Sequence, residues 1–96
     1  MKKTFLTLAA LTMIVQANNY DDKMCSYHLA KALSYAEKGN YAAGAGDSDL
    51  FGLYYKISGE HLIDVKQYCN LDAKTLKKVN KHIKRAQEIA RKYAKH

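Results

Sequence analysis

The sequence predicts an all-α fold: a small bundle of three or more helices, stapled by one disulfide and preceded by an N-terminal export signal. Three observations carry this expectation. The chain has 96 residues, no proline and no tryptophan, and 48% of it is apolar. That composition suits a compact helical domain better than a loop-rich scaffold or a disordered tail. Apolar residues recur at helical spacing in three segments, separated by glycine, asparagine and aspartate. The only two cysteines, Cys25 and Cys69, fall at ends of predicted helices that an antiparallel pairing brings together. The length leaves room for one domain with a modest core and excludes multidomain enzymes, Rossmann folds and barrels.

The first element is the signal. Lys2 and Lys3 precede an uncharged run from Thr4 to Val15, and Val15 and Ala17 are small enough for the −3 and −1 positions of a signal peptidase site. The run is shorter than the ~20 residues of a transmembrane span and only mildly apolar. Residues 1–17 are therefore expected to be a cleaved signal peptide or a weak anchor that later leaves the bilayer. Residues 18–96 are the exported helical domain, and a bacterial periplasm is the natural compartment.

The first helix of that domain is expected over about Asp22–Lys38, with Asp21 or Asp22 as its cap and Gly39-Asn40 as its stop. Cys25, Leu29, Ala32, Leu33 and Ala36 are its inward positions. Tyr41–Asp47 reads as a hinge or short irregular turn because Gly44 and Gly46 interrupt it. The second helix is expected to start with Ser48 or Asp49 as cap and to run to about Tyr68, loosened at Ser58-Gly59. Phe51, Tyr54, Ser58, Leu62, Val65 and Cys69 fall along one side of it, widened by Leu50, Ile57 and His61. The third helix has the clearest pattern. Asp72 is its cap, Leu71 and Leu76 are placed for a hydrophobic staple, and Leu76, Val79, Ile83, Ala86, Ala90 and Tyr93 form a narrow seam.

An even cysteine pair in an oxidising compartment reads as a disulfide, Cys25–Cys69. Met24, Cys25 and His28 lie on one helical turn, but no second ligand cluster accompanies them, so no metal and no cofactor is expected. The four histidines, His28, His61, His82 and His96, are scattered one to a segment and form no paired ligand set. Glu60 and His61, adjacent in sequence, diverge on a helix. No serine has a histidine and aspartate at a recognisable spacing and no phosphate-binding loop is present, so no enzymatic activity is expected.

Charge is unevenly distributed. From Ala73 to His96 nine lysines and arginines face Glu88 alone, a net +8, whereas Asn18–Asp72 carries five basic and eight acidic residues, a net −3. A basic amphipathic helix fits an acidic protein, an anionic membrane or nucleic acid. The narrow, alanine-rich seam fits helix packing better than lipid insertion. Nucleic acid is disfavoured, because only Tyr93 is an aromatic interleaved with the basic residues. Eight tyrosines is a high count for so short a chain, and tyrosine is a favoured interface anchor. Tyr54 and Tyr55 are adjacent and cannot both face one core. Tyr54, Tyr55, Arg85 and Lys92 are thus the candidate partner-binding residues.

The last helix contains Ile83-Lys84-Arg85-Ala86-Gln87-Glu88-Ile89-Ala90-Arg91-Lys92-Tyr93-Ala94. Its pattern I-x-R-x-x-E-[IM]-A-x-x-Y-A resembles the C-terminal helix of the lysis-inhibition antiholins (the RI family) of T-even-type bacteriophages. The chain length, the export signal, the entry Asp21-Asp22-Lys23-Met24, and Ser48-Asp49-Leu50-Phe51 leading to Tyr55-Lys56 are similar to that family too. The resemblance implies a signal that first anchors and then releases the protein, with transient membrane contact through the N-terminal segment. It also implies a periplasmic domain that binds the periplasmic domain of a holin and delays lysis. Two other classes fit an exported, disulfide-bonded helical protein: an inhibitor, immunity or superinfection-exclusion protein acting on a lysozyme or toxin, and an acid-stress chaperone.

Overall fold

A computed structural model describes residues 22–94, which form three α-helices: α1 (Asp22–Gly44), α2 (Ser48–Tyr68) and α3 (Ala73–Tyr93). The expected export signal, residues 1–17, and the expected cap at Asp21 lie outside the described residues, as does the side chain of Asp22. No strand occurs among the described residues, and the all-α bundle stapled by Cys25–Cys69 is the observed architecture. None of the described helices is long and apolar enough to cross a membrane.

Helix α1 runs past the expected stop. Gly39 and Asn40 do not end it because they serve packing. A Cβ at Gly39 would lie 2.6 Å from Cδ2 of Tyr55, and the Tyr55 hydroxyl donates a hydrogen bond to Asn40 Oδ1. The helix ends about one and a half turns later. There Gly46 adopts φ +82°, a conformation that glycine reaches without steric cost. Two hydrogen bonds close the end, Gly46 N–H to Ala43 O (3.1 Å) and Asp47 N–H to Ala42 O (2.9 Å), the pattern of a Schellman cap. Asp47 then caps α2 with its side chain, which accepts from Leu50 N–H at 3.1 Å. One residue therefore closes α1 through its backbone and opens α2 through its carboxylate. Ser48 and Asp49, the expected caps, are already inside the helix, and only residues 45–47 form the turn.

Helix α2 is central and packs against both α1 and α3. It is unbroken at Ser58-Gly59, where loosening was expected. The two small residues let both neighbours approach. Ser58, fully buried, donates to Ala32 O on α1 at 2.7 Å. Gly59 leaves room for α3, since a Cβ there would stand 3.1 Å from Cβ of Ala86. Gly52 does the same near the start of the helix, where the backbone of Tyr93 and Ala94 lies against it.

The core consists of Cys25, Leu29, Ala32, Ala36 and Ala42 from α1; Phe51, Tyr55, Leu62 and Val65 from α2; Cys69 just beyond it; and Val79, Ile83, Ala86 and Ile89 from α3. Leu33 and Tyr54 pack against it from the edge. On α3, Ile89 takes the buried place expected of Ala90, while Tyr93 packs on the core only in part. Asp72 caps α3 as expected, accepting from Thr75 N–H at 2.7 Å. The cysteines are joined, with Cα atoms 5.0 Å apart. The bridge ties the start of α1 to the residue that follows α2, and fits an oxidising compartment.

Candidate functional site

Two surfaces of the bundle gather residues singled out from sequence as partner-binding candidates. The first lies on α3, whose apolar seam is spent on α2 and whose remaining face is basic. Lys74, Lys77, Lys81, Lys84, Arg91 and Lys92 are exposed, with Arg85 half-buried among them. Near the C-terminal end, Arg85, Glu88, Ile89, Arg91, Lys92 and Tyr93 line an open groove of about 380 Å³. The Lys92 ammonium sits 5.4 Å from the centre of the Tyr93 ring. Arg85 and Lys92, two of the residues singled out from sequence, thus share one site.

The second surface flanks the turn between α1 and α2. Tyr41, Ala42 and Ala45 join Leu50 and Tyr54 in a shallow, mainly apolar depression, with Lys38 and Asp47 at its rim. Tyr41 is 81% exposed and Leu53 beside Tyr54 in sequence is 43% exposed, which leaves apolar area that a partner would cover. Both surfaces lie toward the end of the bundle opposite the disulfide, because Phe51 meets Tyr93 there with ring centres 5.2 Å apart.

Tyr55 does not belong to either surface. It is fully buried, its ring edge-on to Phe51 at 5.2 Å, its flank against Gly39 and its hydroxyl on Asn40. Of the adjacent pair, the core takes Tyr55, and Tyr54 is left half-buried against Tyr35 at 6.0 Å. The sequence stripe had placed Tyr54 inward and both tyrosines as partner candidates. The helix phase set by Ser58 and Phe51 moves Tyr54 to the edge of the core and removes the buried Tyr55 from the partner candidates.

A third feature was not foreseen. His28 on α1 and His61 on α2, read as scattered, stand together, their Nδ1 atoms 2.9 Å apart. Asp64, one turn along α2, brings a carboxylate oxygen 3.6 Å from His28 Nδ1. Tyrosines wall the pair. Tyr68 stacks on His28 at 5.5 Å, Tyr35 stacks on His61 at 6.0 Å, and Tyr27 meets both edge-on. Burial, and after it the neighbouring His28, hold His61 below the ordinary histidine value, with Lys31 acting the same way and Asp64 and Glu60 opposing. The signal was present in the cysteine spacing. Three residues in from Cys25 on α1, and five and eight back from Cys69 on α2, are the positions an antiparallel hairpin brings face to face. The grouping of Cys25 with Met24 and His28 as ligands fails, because Cys25 is consumed by the disulfide.

The chain matches no family model, no curated protein and no solved structure.

Proposed function

We propose that the protein is an exported antiholin whose helical domain binds the periplasmic domain of a phage holin and delays host-cell lysis. The observation that carries this reading is how α3 divides the residues of its antiholin-like pattern. Of the pattern's residues, Ile83 and Ile89 are buried against α2, while Arg85, Glu88 and Tyr93 line the groove together with the neighbouring Arg91 and Lys92. The apolar half of the pattern holds the helix in place, and the polar half is presented to a partner.

The charge distribution supports a partner with an acidic face. Among the described residues no ion pair is made by Lys74, Lys77, Lys81 or Lys84, so the field of α3 is available to steer association. The mechanism is a shift of population. A domain that binds the unassembled holin more tightly than the assembled one holds it back from pore formation, by as much as the difference in affinity.

The test is binding of the purified protein to the isolated holin periplasmic domain by calorimetry. A saturable complex that weakens at least about tenfold in an Arg85→Glu/Lys92→Glu variant, and weakens with added salt, is expected. A complex indifferent to both changes would exclude the α3 groove, and no complex at all would exclude the function.

A further inference from the structure

We propose that His28, His61 and Asp64 form a binding site for a divalent transition-metal ion of the zinc class, clamped between α1 and α2. Two imidazoles and a carboxylate are donors that zinc takes, at about 2.0–2.1 Å for nitrogen and 2.0–2.2 Å for oxygen. Two donors on a tetrahedral ion then stand about 3.3 Å apart. The separations here, 2.9 Å between the imidazole nitrogens and 3.6 Å from His28 Nδ1 to Asp64 Oδ2, lie either side of that value. One donor atom from each residue falls within 4.8 Å of the others, so turning the half-exposed Asp64 carboxylate toward the two ring nitrogens brings the third donor into range.

The site is held before any ion arrives. His28 and His61 project from helices that the disulfide ties together, and His28 is one turn from Cys25. Stacking on Tyr68 and Tyr35 fixes the two ring planes, so little side-chain entropy is left to lose on binding. His28 is buried, whereas the Asp64 side chain is 42% exposed. An ion therefore enters past Asp64, and with three protein ligands it keeps a position open on that side.

Proton bookkeeping is simple. In the neutral pair one Nδ1–H donates to the other Nδ1. On binding, that ring carries its proton on Nε2 instead, both Nδ1 atoms become ligands, and no proton need be released. Lys31 is the nearby opposing charge. It is exposed, over the Tyr27 ring at 5.7 Å, and Glu60 counters it. A hydrogen-bonded histidine pair with a purely structural role has no need of the converging carboxylate, which is why Asp64 is the telling residue. The site is independent of whether the partner is a holin.

The purified, disulfide-bonded protein, stripped with chelator, would be titrated with ZnCl₂ by calorimetry and with Co²⁺ by visible absorption. One zinc per chain with a Kd of about 1–10 μM is expected, with the Co²⁺ bands of a tetrahedral site and a raised Tm. His61→Gln and Asp64→Asn should each weaken binding about tenfold or more, and His82→Gln should leave it unchanged. Asp64→Asn keeps the size and exposure of the side chain, so it serves even if a histidine variant folds poorly. No saturable binding below about 1 mM, binding that survives both ligand variants, or binding lost with His82→Gln would overturn the proposal.

Discussion

Replacing Gly52 by alanine tests how α3 seats on α2. In an open helix interior, Gly→Ala stabilises by about 1 kcal/mol. At Gly52 the added Cβ would run into the backbone nitrogen of Ala94 and stand only 2.6 Å from Tyr93 C and 2.7 Å from Ala94 Cα. Carbon atoms in contact keep about 3.5 Å or more, so the last turn of α3 must retreat by roughly 1 Å. All three obstacles are backbone, so no side-chain rotation relieves them. Forced overpacking of this kind costs about 1–3 kcal/mol. The retreat also loosens the Phe51–Tyr93 ring pair, worth about 0.5–1.5 kcal/mol. Set against the gain in helix propensity, the net loss is about 2 kcal/mol, or a Tm lower by roughly 8–16 °C in a domain this small. Urea and thermal unfolding followed by circular dichroism at a fixed pH would measure it. Gly44→Ala is the control, since a Cβ there meets nothing within 4 Å, and that variant should be no less stable than the parent. A Gly52→Ala protein as stable as the parent would refute the packing of the α3 C-terminus against α2.

Other outcomes follow from the same structure. Removing the disulfide by Cys25→Ala/Cys69→Ala opens a loop with a sequence separation of 44 and should cost about 4 kcal/mol by chain entropy; a urea midpoint near the parent's would contradict it. Tyr55→Ala should cost about 3–5 kcal/mol as a buried aromatic truncation, whereas Tyr54→Ala should lose less stability and more partner binding; the reverse ranking in unfolding and binding assays would show the two side chains misassigned. His82 is held below the ordinary histidine value, first by burial and then by Lys81. The unfolded chain therefore binds the extra proton more readily than the fold. Stability should be level above about pH 6.5, the value of the unfolded chain, and fall as the pH drops below it toward the lower folded-state value. His61 is shifted in the same direction, so His82→Gln should flatten part of the slope; an unchanged slope would rule His82 out.

The helices and the staple were legible because they rest on local chemistry. Asp72 caps α3 through a carboxylate in the position its residue type favours, and Cys25 and Cys69 meet because two antiparallel helices of similar length place them at one end. What misled was small residues read only as breakers. Gly39-Asn40 and Ser58-Gly59 look like interruptions in one dimension, yet each is a place where a neighbouring helix comes close. Whether a glycine ends a helix or seats a neighbour depends on residues far away in the chain, here Tyr55 and Ala86. The same holds for Tyr54 and Tyr55. Which one faces inward depends on the rotation of α2, fixed by contacts with two helices at once. The histidine cluster was missed for want of register, since His28 and His61 are 33 residues apart and meet only once the hairpin is aligned on its disulfide.

The most direct test of the proposed function is lysis timing in cells that express the cognate phage holin, with and without this protein exported to the periplasm. An antiholin predicts a clear delay that disappears when residues 1–17 are deleted and shrinks with Arg85→Glu/Lys92→Glu. Unchanged timing, with export and folding confirmed, would contradict it and leave the protein's partner to be sought elsewhere.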